Sequence, residues 1–428
     1  MTLFPLYIDP GTGSMLFSLF IGIAAAASFG LRALFMKIRF MFSVRKAEEE
    51  RNERAGLSDS VYPPPLKYDA GIPFAIFSDH KRYWNVFKPI CDEFEKRQIP
   101  LAYYTASQDD PALTASYRFV RTEFLGDGNR PYAKLNFLRA DVLLSTTPGL
   151  GVYQWKRSKD VKCYVHIPHA VTDLAGYRMF GLDHYDSVIA SGENQLASMR
   201  ELERLRPSIK AKEFVVVGST YLDAMRARLE TQGRSAASEK RTLLVAPTWG
   251  KSGILSRFGE KLLSALAATD FEIIVRPHPQ SAVSEKDMLE ALQKKFSSFE
   301  WNYDNDNFEV LSRSDIMITD FSGVIFDYSL VFDKPVIYAD TSYDSLPYDA
   351  DWLSGPLWEF TVLPKIGIGL KEEQFGQIES VVEKAMRSGQ LKSGRDYVRS
   401  QAWQNKGGSA VSAADFLIAK QKKVAEGY

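Results

Sequence analysis

The chain has 428 residues, of which 45% are hydrophobic and 25% charged, and its 53 lysines and arginines equal its 53 aspartates and glutamates. This length suits two domains plus an appendage, and the balanced charge gives no indication of nucleic-acid binding. The two cysteines, Cys91 and Cys163, argue against a disulfide framework or a cysteine zinc site and are expected to be small core residues in a reducing compartment.

The N-terminal region predicts one membrane span. Residues 10–31 contain no charged side chain, and as a helix this stretch is long enough to cross a hydrocarbon core of roughly 30 Å. The first thirteen residues carry only Asp9, whereas Arg32, Lys37 and Arg39 follow the apolar stretch. The positive-inside rule therefore predicts a single-pass protein of the cytoplasmic membrane with its catalytic part in the cytoplasm. A buried soluble helix is the alternative.

The chain is expected to divide into an anchor (residues 1–45, span about 11–31), a linker (46–65) and two domains (66–235 and 236–428). The linker is charged and then proline-bearing. Beyond it, short apolar runs alternate with helical patterns, which predicts α/β domains with parallel sheets covered by helices on both faces. The predicted strands lie in IPFAIFS, PLAYYT, ADVLLSTTPG, KCYVHIPH, DSVIASG and KEFVVVGS, and then in TLLVAPTWG, FEIIVRPHP, DIMITD and KPVIYAD.

The segment TDFSGVIFD places Ser322 and Gly323 where a predicted strand changes into a helix. In parallel sheets ligands bind beyond the carboxyl ends of the strands, and free N–H groups at a helix N-terminus favour a phosphate. A plain serine cap without a ligand is the alternative. The segments APTWG and VRPHPQS also follow predicted strands, so Arg276 and His278 are expected at the same crevice, where they would hold a diphosphate.

The first domain supplies candidate histidines in VHIPHAVTDLAG. His166 and His169 could be metal ligands, but no third ligand stands at a convincing spacing and Pro168 breaks the helical register. We expect His166 to pack with its strand and His169 to act as a base, since a neutral imidazole can accept a hydroxyl proton at pH 7. His80 is a weaker site candidate, and His184 is expected to be structural.

Taken together, HAVTDLAG, VVGSTYLDAM, VAPTWG, RPHP and SDIMITDFSGVIFD resemble, in order and rough spacing, the CDP-glycerol:poly(glycerophosphate) glycerophosphotransferases that build teichoic acid-type polymers. The resemblance covers about residues 160–415. It implies a GT-B-like fold, in which two Rossmann-like domains face each other across a cleft and the C-terminal one holds the nucleotide donor. It also implies transfer of glycerophosphate from CDP-glycerol to a hydroxyl of an acceptor, usually a lipid-linked glycan, at the membrane.

The resemblance assigns the first catalytic histidine to His169 and the histidine of the R-x-H-P motif to His278. The phosphate-binding serines of the family fall on Ser322 and Gly323. The sequence departs from the family pattern in having glycine at the second of these positions and HAVTD in place of His-Gly-Thr-Pro. These departures leave the acceptor and the donor polyol, glycerol or ribitol, open.

The expected mechanism begins when the acceptor hydroxyl gives its proton to His169 and attacks the distal phosphorus of the donor, so that CMP leaves. Arg276, His278 and the N–H groups at Ser322 and Gly323 would hold the diphosphate. No metal site or cofactor is required, although nearby carboxylates leave a role for Mg²⁺ open. Thr248 and Trp249 are further candidates for the donor site, Asp327 for a ribose or cytosine contact, and Asp320 for a loop cap or a ligand contact.

Two other classes of protein remain open. A GT-B glycosyltransferase would use the same cleft and basic loops for a nucleotide sugar in envelope glycan synthesis. A catalytically inactive membrane-anchored relative would keep the fold without the chemistry, as the altered HAVTD segment allows. A nucleotide-sugar epimerase is less attractive, because its substrates are soluble and give no use for a membrane span.

Overall fold

The computed structural model describes residues 71–233, 240–339 and 343–427, which belong to one compact unit. They form two α/β domains, each built on a fully parallel sheet. The predicted anchor and linker, and the predicted boundary at residue 235, lie outside the described residues. Among the helices of the described part, none is long and apolar enough to cross a membrane.

The N-terminal domain contains a seven-stranded sheet in the order β3-β2-β1-β4-β5-β6-β7. Its strands are β1 (Ile72–Ser78), β2 (Leu101–Thr105), β3 (Val120–Phe124), β4 (Ala140–Ser145), β5 (Val161–His166), β6 (Ser187–Ala190) and β7 (Glu213–Val216). Its helices are α1 (Trp84–Lys96), α2 (Arg130–Leu135), α3 (Leu196–Leu205) and α4 (Thr220–Gln232), the last of which leads to the second domain.

The C-terminal domain contains a six-stranded sheet in the order β10-β9-β8-β11-β12-β13. Its strands are β8 (Thr242–Val245), β9 (Glu272–Val275), β10 (Glu300–Trp301), β11 (Ile316–Thr319), β12 (Val336–Ala339) and β13 (Gly367–Leu370). Its helices are α5 (Ile254–Ala267), α6 (Ser281–Ser284), α7 (Lys286–Lys295), α8 (Phe308–Arg313), α9 (Val324–Phe326, continued by a π-helical turn), α10 (Trp358–Ile366), α11 (Ile378–Arg387) and α12 (Gly389–Ala402), and the last helix of the described chain is α13 (Ser409–Ala425).

The central strands are apolar along their whole length because each face of the sheet is covered. In β1, Phe74 and Ile76 enter one core while Ala75 and Phe77 enter the core on the opposite face. Such double burial is what a continuous apolar run predicts for a parallel sheet. Cys91 and Cys163 are free and buried, as expected.

The final helix returns to the N-terminal domain. Ala413, Ala414 and Leu417 of α13 are buried in the same core as Phe74 and Ile76. Residues 409–425 of the predicted C-terminal domain therefore contribute to the core of the other domain. This exchange ties the two domains together at the end of the chain.

A loop between β12 and α10 also joins the domains. Asp349 receives a hydrogen bond of 2.8 Å from Arg206 and donates its backbone N–H to the Tyr177 carbonyl at 3.0 Å. Arg206 and Asp349 are both buried, and Asp183 lies 3.3 Å from the same guanidinium. Removing one partner of a buried ion pair is strongly destabilising, so the Arg206–Asp349 pair is expected to hold Asp349 in place. Through its backbone N–H, Asp349 in turn holds the loop that carries Tyr177.

Candidate active site

The two sheets place their ligand-binding edges at defined points. In the N-terminal sheet the order in which strands are added reverses between β1 and β4, and in the C-terminal sheet it reverses between β8 and β11. Crevices form beyond the carboxyl ends of the strands at such switch points. The loops that follow β1 and β8, and those that follow β4 and β11, are therefore expected to line the cleft.

His169 lies just beyond the carboxyl end of β5 and is half-buried. Its Nδ1 atom is 3.4 Å from Thr146 Oγ1, and its ring centre is 4.9 Å from that of Tyr83. Burial lowers the pKa of His169 to about 4, and the positive charge on Arg82 and then His278 act in the same direction. The imidazole is therefore neutral at pH 7, which is the form a general base requires.

His166 belongs to the supporting structure of this site. It is fully buried on β5, and its Nε2 atom lies 3.2 Å from the Tyr177 hydroxyl. Burial lowers the pKa of His166 to about 3, so it too is neutral. Its position agrees with the expectation that it packs with the strand.

The segment that follows His169 is held by two side chains that sequence reasoning missed. The buried Gln195 donates hydrogen bonds to the carbonyls of Ala170 (3.0 Å) and Thr172 (2.9 Å), and Asn194 donates to the Val171 carbonyl at 2.8 Å. A short polar run, GENQ, gave no periodic or motif signal for this role. Both amides fix the backbone that positions His169.

His278 stands on the opposing domain, beyond the carboxyl end of β9. Its Nδ1 atom accepts a hydrogen bond of 3.1 Å from the Gln280 N–H, so the proton of the neutral ring lies on Nε2. Burial and, to a smaller extent, the positive charge of Arg82 lower the pKa of His278 to about 4, while Glu285 acts in the opposite direction. The exposed Trp249 ring is 6.4 Å from the His278 ring. His278 can therefore donate a hydrogen bond beside an aromatic surface.

Asp320 caps the loops of the C-terminal switch point. Its carboxylate accepts hydrogen bonds from the backbone N–H groups of Thr248 (2.9 Å), Ile254 (3.0 Å), Phe321 (2.7 Å) and Ser322 (3.1 Å). Burial raises the pKa of Asp320 to about 6, although these four bonds lower it. Of the two roles considered for Asp320, the structure shows the loop cap.

The same bonds change the role expected for Ser322. Its N–H is used by Asp320, and Gly323, with no side-chain cap, is the residue that precedes α9. A Cβ atom built on Gly323 would lie 3.4 Å from the Ala170 Cβ, which is ordinary contact. The start of α9 therefore lies against the segment that follows His169. Thr248 is likewise bound to Asp320 through its backbone, next to Trp249.

Arg276 and Asp327 have protein partners of their own. The Arg276 guanidinium donates to the Asn302 side chain and, at 2.7 Å, to the Asp304 carbonyl, both beyond β10. Asp327 accepts from the Tyr221 hydroxyl at 3.3 Å, and burial raises its pKa to about 7. Arg276 and His278 follow the same strand, but the guanidinium is held by the segment after β10.

Arg82 is the cleft residue that sequence reasoning missed, although its neighbour His80 was considered. His80 Nδ1 accepts the backbone N–H of Arg82 at 3.2 Å and so caps a short helical turn. The positive charge of Arg82 lowers the pKa of both His169 and His278. His184 is exposed, and its ring packs so closely against Gly151 that a side chain at that position would collide with it. This packing agrees with the structural role expected of His184.

The described residues contain no group of three or more His, Cys, Asp or Glu side chains that could hold a metal ion. His166 and His169 therefore have no third ligand within this part of the chain. That no cofactor is required, with a role for Mg²⁺ left open, stays a prediction.

Comparison with known proteins gives one matching family model and a set of similar solved structures. A family model described as CDP-Glycerol:Poly(glycerophosphate) glycerophosphotransferase matches residues 210–353, a segment that includes His278 and Ser322. No curated protein has a matching sequence. This match agrees with the predicted family over the matched segment and supports the predicted enzyme class, a CDP-glycerol glycerophosphotransferase-like enzyme.

Solved structures extend the similarity to most of the chain. The wall teichoic acid polymerase TagF matches with 16% identity over 90% of this chain and 98% of that chain, with a TM-score of 0.55. A TagF variant soaked with CDPG matches with 16% identity over 84% and 91%, with a TM-score of 0.54. MnaA of S. aureus with UDP matches with 13% identity over 80% and 94%, with a TM-score of 0.53. These similarities and the two parallel sheets confirm the GT-B-like fold.

Proposed function

We propose that this chain, whose residues 210–353 match the glycerophosphotransferase family, transfers a glycerophosphoryl or related polyol-phosphate group from a CDP-linked donor to an acceptor hydroxyl. The observation that carries the proposal is the pair of neutral histidines, His169 and His278, supplied by the two domains at the ligand-binding edges of their sheets. The His169 imidazole has a ring nitrogen that can accept a proton, and the His278 imidazole carries a proton on Nε2 that it can donate.

The chemical step is a single displacement at phosphorus. The acceptor oxygen attacks the β-phosphorus of the donor while its proton passes to His169. The bond between the β-phosphorus and the bridging oxygen breaks, and its electron pair leaves with CMP. His278 Nε2–H donates a hydrogen bond to the diphosphate and offsets the charge that develops on the leaving phosphate.

The remaining donor contacts come from the loops of the C-terminal switch point. Trp249, 37% exposed beside His278, offers a face for the nucleotide. Asp320 holds the loops that carry Thr248 and Ser322, so that the backbone there is fixed before the donor arrives. We retain Arg276, Gly323 and Asp327 as donor-site residues in this proposal.

The acceptor is proposed to be lipid-linked and the chain to be anchored in the cytoplasmic membrane. Support comes from the apolar sequence of residues 10–31 and from the family resemblance. Tethering an enzyme to the surface that carries its acceptor raises their effective concentration.

Ligand-dependent melting of the purified full-length chain tests the donor. CDP-glycerol or CDP-ribitol at about 100 times its dissociation constant should stabilise the folded state by about 2.7 kcal/mol, which raises the melting temperature by a few degrees. CMP, as the product, should also raise it. The measurement is a thermal-shift series with these ligands and with UDP-sugars.

UDP-sugars serve as the matched control, since they carry a diphosphate with a different base and substituent. A melting temperature that rises with UDP-sugars alone would contradict the CDP-linked donor and favour the glycosyltransferase. A chain that responds to none of these ligands would favour the inactive relative.

A reporter protein that fluoresces only in the cytoplasm, fused after Tyr428, should fluoresce in cells. The reason is that the positive charges follow the predicted span, and that nucleotide-activated donors are made inside cells. A periplasmic fusion partner such as alkaline phosphatase at the same position is the control. An active phosphatase fusion together with a fluorescent-reporter fusion that does not fluoresce would contradict the proposed orientation.

A further inference from the structure

Arg82 lies in the short helical turn that follows β1, at the switch point of the N-terminal sheet. Its Cζ atom is 5.0 Å from the centre of the Tyr83 ring, and that ring is 4.9 Å from the ring of His169. The side chain therefore belongs to the N-terminal wall of the cleft, next to the proposed base.

The guanidinium of Arg82 forms no ion pair within the described part of the chain. No carboxylate of the described residues lies within 4.0 Å of it, and its Nε atom is buried without a hydrogen-bond partner. The nearby Asp79 is half-buried; burial raises the pKa of its carboxyl, whereas the Thr147 side chain and the Arg82 charge lower it. A partly buried cation is normally paired, which leaves Arg82 available to an anion that enters the cleft.

Arg276 differs in this respect. Its guanidinium already donates to the Asn302 side chain and to the Asp304 carbonyl. The charge of Arg82, by contrast, acts on His169 of its own domain and on His278 of the other. Arg82 therefore lies next to the Tyr83 ring that contacts the proposed base, and its charge also reaches His278 of the other domain.

We propose that Arg82 binds the diphosphate of the donor from the N-terminal side of the cleft and stabilises the leaving phosphate. The inference rests on the proposed function, since it assumes a nucleoside diphosphate donor. Contact from this side would also bring the two domains together around the donor, because the other diphosphate contacts come from the C-terminal domain. A guanidinium suits this task because it can bind two phosphate oxygens at once.

The test compares R82Q and R82K with wild type in binding to CDP-glycerol and to cytidine, which has the base but no phosphate. R82Q should weaken CDP-glycerol binding by about 10- to 100-fold, the range expected for a charge-assisted hydrogen bond, and leave cytidine binding within twofold. R82K keeps the charge without the fork and should recover part of the loss. R118Q is the matched control, because Arg118 is exposed and precedes β3 at the opposite edge of the same sheet.

A second readout separates a diphosphate contact from a merely structural role. Loss of the Arg82 charge should raise the pKa of both His169 and His278, the latter also facing Glu285, so the acid limb of the rate profile should move to higher pH in R82Q. R82K should keep the wild-type profile.

Wild-type CDP-glycerol affinity in a folded R82Q protein would overturn the inference, and so would an equal loss of cytidine binding. If wild type binds UDP-sugars and not CDP-glycerol, the proposed function fails while Arg82 remains testable. In that case the same comparison is made between a UDP-sugar and uridine, and equal binding of the UDP-sugar by R82Q and wild type would overturn the role of Arg82.

Discussion

Replacing His169 with alanine should lower kcat by about 10² to 10⁴, the usual contribution of a general base, while CDP-glycerol affinity stays within about twofold. The side chain contacts Thr146 and Tyr83 in the N-terminal domain, and neither of these residues is among the proposed donor contacts. Its loss therefore removes a proton acceptor and leaves the donor site in place. Steady-state CMP release and calorimetric binding of CDP-glycerol measure the two quantities separately.

His184→Ala is the matched control. His184 is an exposed histidine of the same domain, so this variant should keep the wild-type rate. A loss of activity that merely follows the folded fraction would indicate a structural role for His169. His278→Ala should behave differently and lose affinity as well as rate. A folded His169→Ala protein that releases CMP at the wild-type rate with acceptor present would remove His169 from the mechanism.

The same variant has a readout in stability. In the folded state the pKa of His169 is about 4, below the ordinary value of 6.5. Between pH 4 and pH 6.5 the folded state therefore binds fewer protons than the unfolded state. The stability that this neutral imidazole contributes is present above pH 6.5 and is lost as the pH falls through about 4. His169→Ala should therefore lose less melting temperature between pH 7 and pH 5 than wild type.

The central strands could be predicted from the sequence, whereas three edge strands could not. Strands such as β1 and β11 are buried on both faces and appear as unbroken apolar runs. The missed strands, β3, β10 and β13, each lie at the edge of a sheet. An edge strand has a neighbour on one side only and keeps exposed or half-buried residues, as in VRTEF of β3, so no continuous apolar run marks it.

The candidate site was predictable to a similar extent. His169 and His278 follow apolar runs directly, so the general rule for parallel sheets places them at strand ends. Arg82 was missed because a lone arginine after a strand is indistinguishable from a solvated one until its neighbours are known. Gln195 acts on a segment more than twenty residues earlier in the chain, and only the folded structure shows that contact.

Replacing Asp320 with alanine should destabilise the C-terminal domain by roughly 3–5 kcal/mol and weaken CDP-glycerol binding at least tenfold. The carboxylate accepts four backbone N–H groups from two loops, and each buried N–H left without a partner costs about 1–3 kcal/mol, less where water can replace the carboxylate. Because its pKa is about 6, Asp320 is mostly ionised at pH 7 and accepts all four bonds. The melting temperature and CDP-glycerol affinity give the two effects.

Asp315→Ala is the matched control for Asp320→Ala, because the two aspartates flank the same strand, β11. Asp315 precedes the strand and accepts one backbone N–H, that of Thr242, at 2.8 Å. Its loss should lower the free energy of unfolding by about 1 kcal/mol. Donor affinity should stay unchanged, because Asp315 lies at the amino end of β11, away from the cleft. Asp320→Asn keeps one acceptor oxygen but turns an amide NH₂ toward backbone donors, so it should fall between wild type and Asp320→Ala. Equal melting temperatures for Asp315→Ala and Asp320→Ala would show that the four bonds do not organise the donor loops.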